Sequence, residues 1–183
     1  MLGAYAGIGS RETPMEYRQL MSNIAEELAN AGFILRSGGA SGADEAFEIG
    51  CDRVRGNKEI YLPWKGFNGS DSILIVKDKR AFDIARKYHP NYSALKQGAQ
   101  KLMARNSHQI LGLNLESPVD FVICWTKDGK GQGGTGQALR IAKDYDIPVF
   151  DCGNYGLGES EECLEDLYNA INQLIDNEEE WSI

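Results

Sequence analysis

The sequence predicts a doubly wound α/β fold with a mainly parallel sheet of about five strands flanked by helices. Three observations predict it. Short apolar runs that read as buried strands recur along the chain, among them Phe33-Ile34-Leu35 and Phe121-Val122-Ile123-Cys124-Trp125. Stretches with apolar residues at helical spacing lie between them. Glycine-bearing turns join strand to helix at Gly7-Ile8-Gly9-Ser10, at Ser37-Gly38-Gly39-Ala40-Ser41-Gly42-Ala43-Asp44 and at Gly131-Gln132-Gly133-Gly134-Thr135-Gly136. Such turns let backbone N–H groups face outward beside a helix N-terminus, where an anion is favoured. Three of them behind three strands point to one crevice at the strand ends.

Taken in order, Leu2 to Ile8 reads as the first strand. Thr13-Pro14-Met15-Glu16 has the form of a capping box with Pro at the first helical position. Tyr17, Leu20, Met21, Ile24 and Leu28 then share one helical face, and Gly32 is placed to end that helix. A second strand (Phe33 to Arg36), the second glycine loop, a helix from Ala43 to about Arg55 and a third strand (Glu59 to Leu62) make a right-handed βαβ unit. From Pro63 to about Tyr92 periodicity lapses, and Trp64, Gly66, Gly69 and Pro90 mark a surface excursion with a short helix near Arg80 to Arg86. Ser93 to about Leu111 is helical, with Leu95, Ala99, Leu102 and Met103 repeating. A strand from Asp120 to Trp125, a helix from about Gly136 to Tyr145, a strand from Ile147 to Asp151 and a helix from about Ser160 to Ile175 follow. The order is Rossmann-like. With no repeat and no linker, residues 1–183 are expected to form a single domain.

Composition narrows the function classes. Hydrophobic residues make up 42% and charged residues 25% of the chain, the balance of a globular protein. No apolar run approaches ~18 residues, and the N-terminus lacks the basic and apolar regions of a signal peptide, so a cytoplasmic protein with no membrane partner is expected. Cys51, Cys124, Cys152 and Cys163 form no metal-like spacing and read as reduced thiols; with only His89 and His108 besides, no metal site is expected. No cofactor is expected either, since Gly7-Ile8-Gly9 lacks the third glycine of the dinucleotide fingerprint. The net charge of −8 disfavours nucleic acid as a partner, because binding it needs a basic stripe to displace counterions. A local patch around Lys96, Lys101 and Arg105 is the exception, and the overall field tolerates small anions better than long ones.

The candidate ligand contacts follow from the loops. Gly9, Ser10 and Arg11 offer a tight turn, a hydroxyl and a bidentate fork for phosphate. Ser37, Gly38, Gly39, Ser41 and Gly42 offer donors and close backbone approach. Asp44 either complements the dipole of its helix or bonds a ligand hydroxyl. Arg105 and Asn106 pair a cation with an amide near the crevice. Trp125 and Thr126 leave the fourth strand at its C-terminal end, where Trp125 is either a stacking surface for a base or core; Trp64 poses the same choice. Gly133, Gly134, Thr135 and Gly136 complete the cradle. No nucleophile–base constellation and no G-x-S-x-G elbow stands out.

These loops carry a resemblance. Tyr5-Ala6-Gly7-Ile8-Gly9-Ser10-Arg11, the segment from Ser37 to Asp44, and Gly133-Gly134-Thr135-Gly136 resemble the SLOG superfamily, the Rossmann-like group of DprA/Smf proteins and lonely-guy (LOG) nucleotide phosphoribohydrolases. Arg105-Asn106-Ser107-His108-Gln109-Ile110-Leu111-Gly112, with Ile123 to Gly129, looks like a DprA-like subgroup common in phage genomes. The similarity spans about Leu2 to Asp151. It implies a nucleotide-type ligand over the glycine loops and a homodimer or higher homo-oligomer. Against the LOG pattern P-G-G-x-G-T-x-x-E, this chain carries Gln132 for Pro, Gln137 for Thr and Arg140 for the catalytic Glu. The leading expectation is therefore a module that binds a small nucleotide or nucleotide-derived signal, in a phage setting sequestering a host defence messenger. The alternatives are a LOG-like nucleotide hydrolase or glycosidase, and DprA-like binding of single-stranded DNA with recombinase loading.

Overall fold

The computed structural model describes residues 3–180. Its sheet contains β1 (Ala4–Gly9), β2 (Ile34–Ser37), β3 (Lys58–Ile60), β4 (Phe121–Trp125) and β5 (Val149–Asp151), all parallel in the order β3-β2-β1-β4-β5. The helices are α1 (Met15–Ala31), α2 (Ala43–Arg53), α3 (Lys79–Tyr88), α4 (Gln97–Leu111), α5 (Gly133–Asp144) and α6 (Ser160–Glu180). The chain starts at the sheet centre, winds outward through β2 and β3, then returns to the other side of β1 as β4 and β5. In register, Ala6 lies between Arg36 on β2 and Val122 on β4. The connections leaving β1 and β4 therefore diverge, and a crevice opens between them.

Both faces of the sheet are covered, which is why its central strands read as unbroken apolar runs. Tyr5, Phe121 and Ile123 point to one face, where they meet Leu20, Met21 and Ile24 of α1, Phe47 of α2 and Leu167 of α6. Tyr5 and Phe121 stack there with ring centroids 5.7 Å apart. Ala6, Ile8, Val122 and Cys124 point to the opposite face, against Ala81, Ala104, Ile110 and Ile141 from α3, α4 and α5. Each large side chain fully buried in these layers contributes about 1.5–3 kcal/mol relative to exposure.

Several boundaries differ from the sequence expectation for identifiable reasons. Gly32 does end α1, at φ 98°, with its N–H on the Ala29 carbonyl and that of Phe33 on Leu28. The capping box at the other end does not form. Pro14 takes the cap position and α1 begins at Met15. The Thr13 hydroxyl donates to the Ser10 carbonyl at 2.7 Å, and Glu16 reaches across to accept from the N–H groups of Gly158 and Ser160. Leu62 was expected in the third strand, but it leaves the sheet to bridge Ile75 within the excursion. α5 begins at Gly133 rather than Gly136, so glycines read as loop form its first turn. Leu2, read as the start of the first strand, lies outside the described residues. No helix among the described residues is long and apolar enough to cross a membrane.

Candidate functional site

A crevice of about 400 Å³ opens at the C-terminal ends of β1 and β4. Ser10 and Arg11 reach it from the turn after β1, Ala40 and Asp44 from the turn after β2, and Gln132, Gly133, Gly134 and Thr135 from the start of α5. α4 supplies the remaining wall through Leu102, Met103, Arg105, Asn106 and Gln109. All three glycine-bearing turns thus line one depression. Leu102, Arg105, Asn106 and Gln109 are spaced three and four apart and share a helix face. That spacing is the signal by which Gln109, not singled out from the sequence, is found one turn beyond Arg105.

The floor holds a buried ion pair. Arg105 Nη1 lies 3.2 Å from Asp44 Oδ2, with the two side chains only 6% and 5% exposed. The same carboxylate oxygen accepts from the Ala40 N–H at 3.3 Å, so Asp44 also pins the glycine loop that precedes it. Burial pushes the Asp44 carboxyl above its ordinary value, opposed by the Arg105 guanidinium and by the backbone donors of Ala40 and Gly9. Burial likewise pushes the Arg105 guanidinium down, opposed mainly by Asp44. One face of the guanidinium rests over the Phe67 ring at 5.9 Å. Its buried Nε has no hydrogen-bond partner. An orphaned donor on a buried cation, at the floor of an open crevice, is an unmet demand for an acceptor. Gly38 makes room for this arginine, since a Cβ there would fall 1.1 Å from Nη1.

The far wall is the N-terminus of α5. Its first N–H groups have no intrahelical acceptor, and the helix dipole favours negative charge beside them. Asn106 holds this end in place, its Nδ2 donating to the Gly134 carbonyl and to Gln137 Oε1, each at 3.0 Å. Arg11 stands exposed at the rim. An anion in the crevice would meet Ser10, Arg11, the buried Arg105 at its floor and the α5 N–H groups, with the Glu12 carboxylate as the one acidic side chain of the rim.

The other candidate residues take different places. Ser37 is buried, and its hydroxyl donates to the Gly7 carbonyl at 2.6 Å, tying β2 to β1. Gly39 packs on Leu62 and Ile60, while Gly42, at φ 90°, presses against the backbone of Ser10 and Arg11. Gly9 packs against Ala43 at the rim and Gly136 against the Gly131 carbonyl. Ser41 is exposed outside the lining, and Trp64, 39% exposed, stands edge-on to Phe67. Trp125 is packed into the α1–α2–α6 core layer with 9% exposure, and Thr126 is hydrogen-bonded to Asp151. Neither reaches the crevice. Among the described residues, no cluster of three or more His, Cys, Asp or Glu side chains is placed to hold a metal ion.

Sheet order, diverging connections and an anion-ready crevice define a Rossmann-like α/β protein. No protein-family model and no curated protein matches the chain. Among solved structures it is similar to DNA processing protein A from Helicobacter pylori, described by its unique single-stranded DNA binding mode, with 23% identity over 96% of this chain and 81% of that one at a TM-score of 0.60. It is also similar to the Moco carrier protein of Chlamydomonas rheinhardtii, with 14% identity over 95% and 97% of the two chains at a TM-score of 0.53. At these identities the likeness is one of fold.

The first neighbour corrects one expectation. Nucleic acid was disfavoured as a partner, yet a protein built on this fold binds single-stranded DNA. The physical error lay in treating −8 as a uniform field. α3, α4 and α5, which cover one face of the sheet, carry eight Lys and Arg against two Asp and Glu. α1, α2 and α6 up to residue 174, on the other face, carry two against eleven. The acidic total belongs to the side away from α4.

Proposed function

We propose that the crevice binds a small nucleotide or nucleotide-derived ligand through its phosphate. The observation that carries this reading is the buried Arg105, its Nε unpaired, in the wall of an open depression that the first turn of α5 also lines. A phosphate there accepts from Arg105, Arg11, Ser10 and the α5 N–H groups, while Leu102 and Met103 offer an apolar wall to a base or ribose. Asp44, committed to Arg105 and Ala40, acts to hold the arginine rather than to attack the ligand. The SLOG resemblance agrees with this reading, and sequestration of a defence messenger is one form it takes.

The test is incubation of the protein with a panel of nucleotides and cyclic nucleotides, followed by chromatography of the solution and of the ligand released by heat. Recovery of intact nucleotide from the protein is the expected result. A new product peak would instead mark a nucleotide-processing enzyme. Arg11→Ala should weaken binding of the recovered nucleotide by roughly 1.5–3 kcal/mol, the worth of a lost charged hydrogen bond, as measured by calorimetry.

A second reading, single-stranded DNA binding, is favoured by the basic α3–α4–α5 face and by the Helicobacter pylori neighbour. Oligo-dT titrated in place of mononucleotide separates the two. Tight binding of the oligomer with none of the panel retained selects the second.

A further inference from the structure

We propose that Asp151 and Thr126 are positioning residues of the crevice, setting where α5 begins and so where its first N–H groups stand. The inference rests on the reading of the crevice as an anion site, and neither residue lines it. Asp151 ends β5 and Thr126 follows β4, so both sit where two neighbouring strands finish, and both are buried. Asp151 Oδ1 accepts from the Thr126 N–H at 2.8 Å and the Gly153 N–H at 2.9 Å. Its Oδ2 accepts from the Thr126 hydroxyl. With its proton committed in that direction, Thr126 Oγ1 presents a lone pair to the Gly131 N–H at 2.9 Å.

Gly131 passes the constraint on. Its carbonyl is packed so closely on Gly136 that a Cβ at 136 would lie 1.8 Å away. Gly136 in turn makes the first helical bond of α5, its N–H on the Gln132 carbonyl at 3.2 Å. Between them lie Gly133, Gly134 and Thr135, the part of α5 that faces the crevice. A carboxylate on one strand thus fixes, through one hydroxyl, the segment that carries the anion-facing amides. The partners of Asp151 are donors, the Cys124 thiol included. An amide at 151 must turn its NH2 against one of them, so Asp151→Asn disturbs the relay without changing its size.

The experiment compares the full-length chain with Thr126→Val, Thr126→Ser and Asp151→Asn, using residue-resolved amide hydrogen exchange and binding of 5′-AMP. Thr126→Val should speed exchange at Gly131 and at Gly136, the two hydrogen-bonded amides of the relay, by about tenfold or more while leaving α1 unchanged. It should also weaken 5′-AMP binding by about fivefold or more, and Thr126→Ser, which keeps the hydroxyl, should stay within about twofold of the parent in both. Should the Val variant fail to fold, Asp151→Asn carries the same expectations. Unchanged exchange at Gly131 overturns the relay, and faster exchange with unchanged 5′-AMP affinity overturns its role in binding. If the parent itself does not bind 5′-AMP, that outcome counts against the nucleotide reading, and exchange alone then judges the relay.

Discussion

Arg105 and Asp44 stand 61 positions apart in the chain, and nothing in either neighbourhood announces the other. Each was singled out as a ligand contact, Arg105 for its charge and Asp44 for its place at a helix start. Their union changes what each does. Breaking a buried pair by removing one member strands the other charge and costs roughly 3–5 kcal/mol, so Arg105→Met and Asp44→Asn alone should destabilise far more than a well-packed double replacement. Gly38→Ala offers a gentler probe, because it alters no charge yet puts a methyl on the path of Nη1. It should displace the guanidinium and abolish the proposed nucleotide binding, with a loss of stability of about 1–3 kcal/mol read by denaturant titration. A second buried residue gives a pH dependence. Burial holds His108 below its ordinary 6.5, against the opposing pull of the Gly112 carbonyl. The unfolded chain therefore takes up the proton first as pH falls. Its contribution is present in full above the ordinary value and declines below it. Denaturant titrations at about pH 7.5 and 5.5 should show that loss, and His108→Gln should flatten it.

At the scale of elements, the strands and helices were legible because each is apolar on the side that meets the sheet. Phe121 to Trp125 reads as a strand for the same reason that it is one, burial on both faces. The ends were less legible, since a cap depends on what lies across from it. Thr13 and Glu16 have the spacing of a capping box, yet the Ser10 carbonyl and the N–H groups at the start of α6 offer both side chains partners that the local sequence does not contain. Glu16 instead ties α1 to α6, and those backbone donors hold its carboxyl below the ordinary range. Glu16→Ala should accordingly loosen that junction, with faster amide exchange at Gly158 and Ser160 and little change in the core of α1. The start of α5 was displaced for a related reason: Gly133 and Gly134 look like loop residues in isolation, but Asn106 of α4 holds the turn they form. Thr126 and Trp125 end a strand on the crevice side, which left Trp125 open as stacking surface or core; period-two alternation sends it to the opposite layer, as core.

Over the whole molecule, the doubly wound parallel sheet and the convergence of the three glycine turns followed from the alternation of elements, whereas the strand order came from the structure and the sign of the field did not follow from the total charge. A sum of −8 hides two faces of opposite character, visible only once the helices are assigned to their sides of the sheet. If single-stranded DNA is the partner, its affinity should fall with added salt at a slope of about −0.7 per phosphate contact. Lys101→Glu, one turn before Arg105 on α4, should make that slope shallower. Neutralising Glu161 and Glu162 on α6 should leave it unchanged, with fluorescence anisotropy over a salt series as the measurement. The same division gives the protein a lasting charge asymmetry across its sheet. On a cationic support it favours contact through α1, α2 and α6 and leaves α3, with its exposed Arg80, Arg86 and Lys87, turned away; on a polyanionic one the preference reverses. The choice of matrix alone therefore decides whether an immobilised molecule presents its basic helices or hides them.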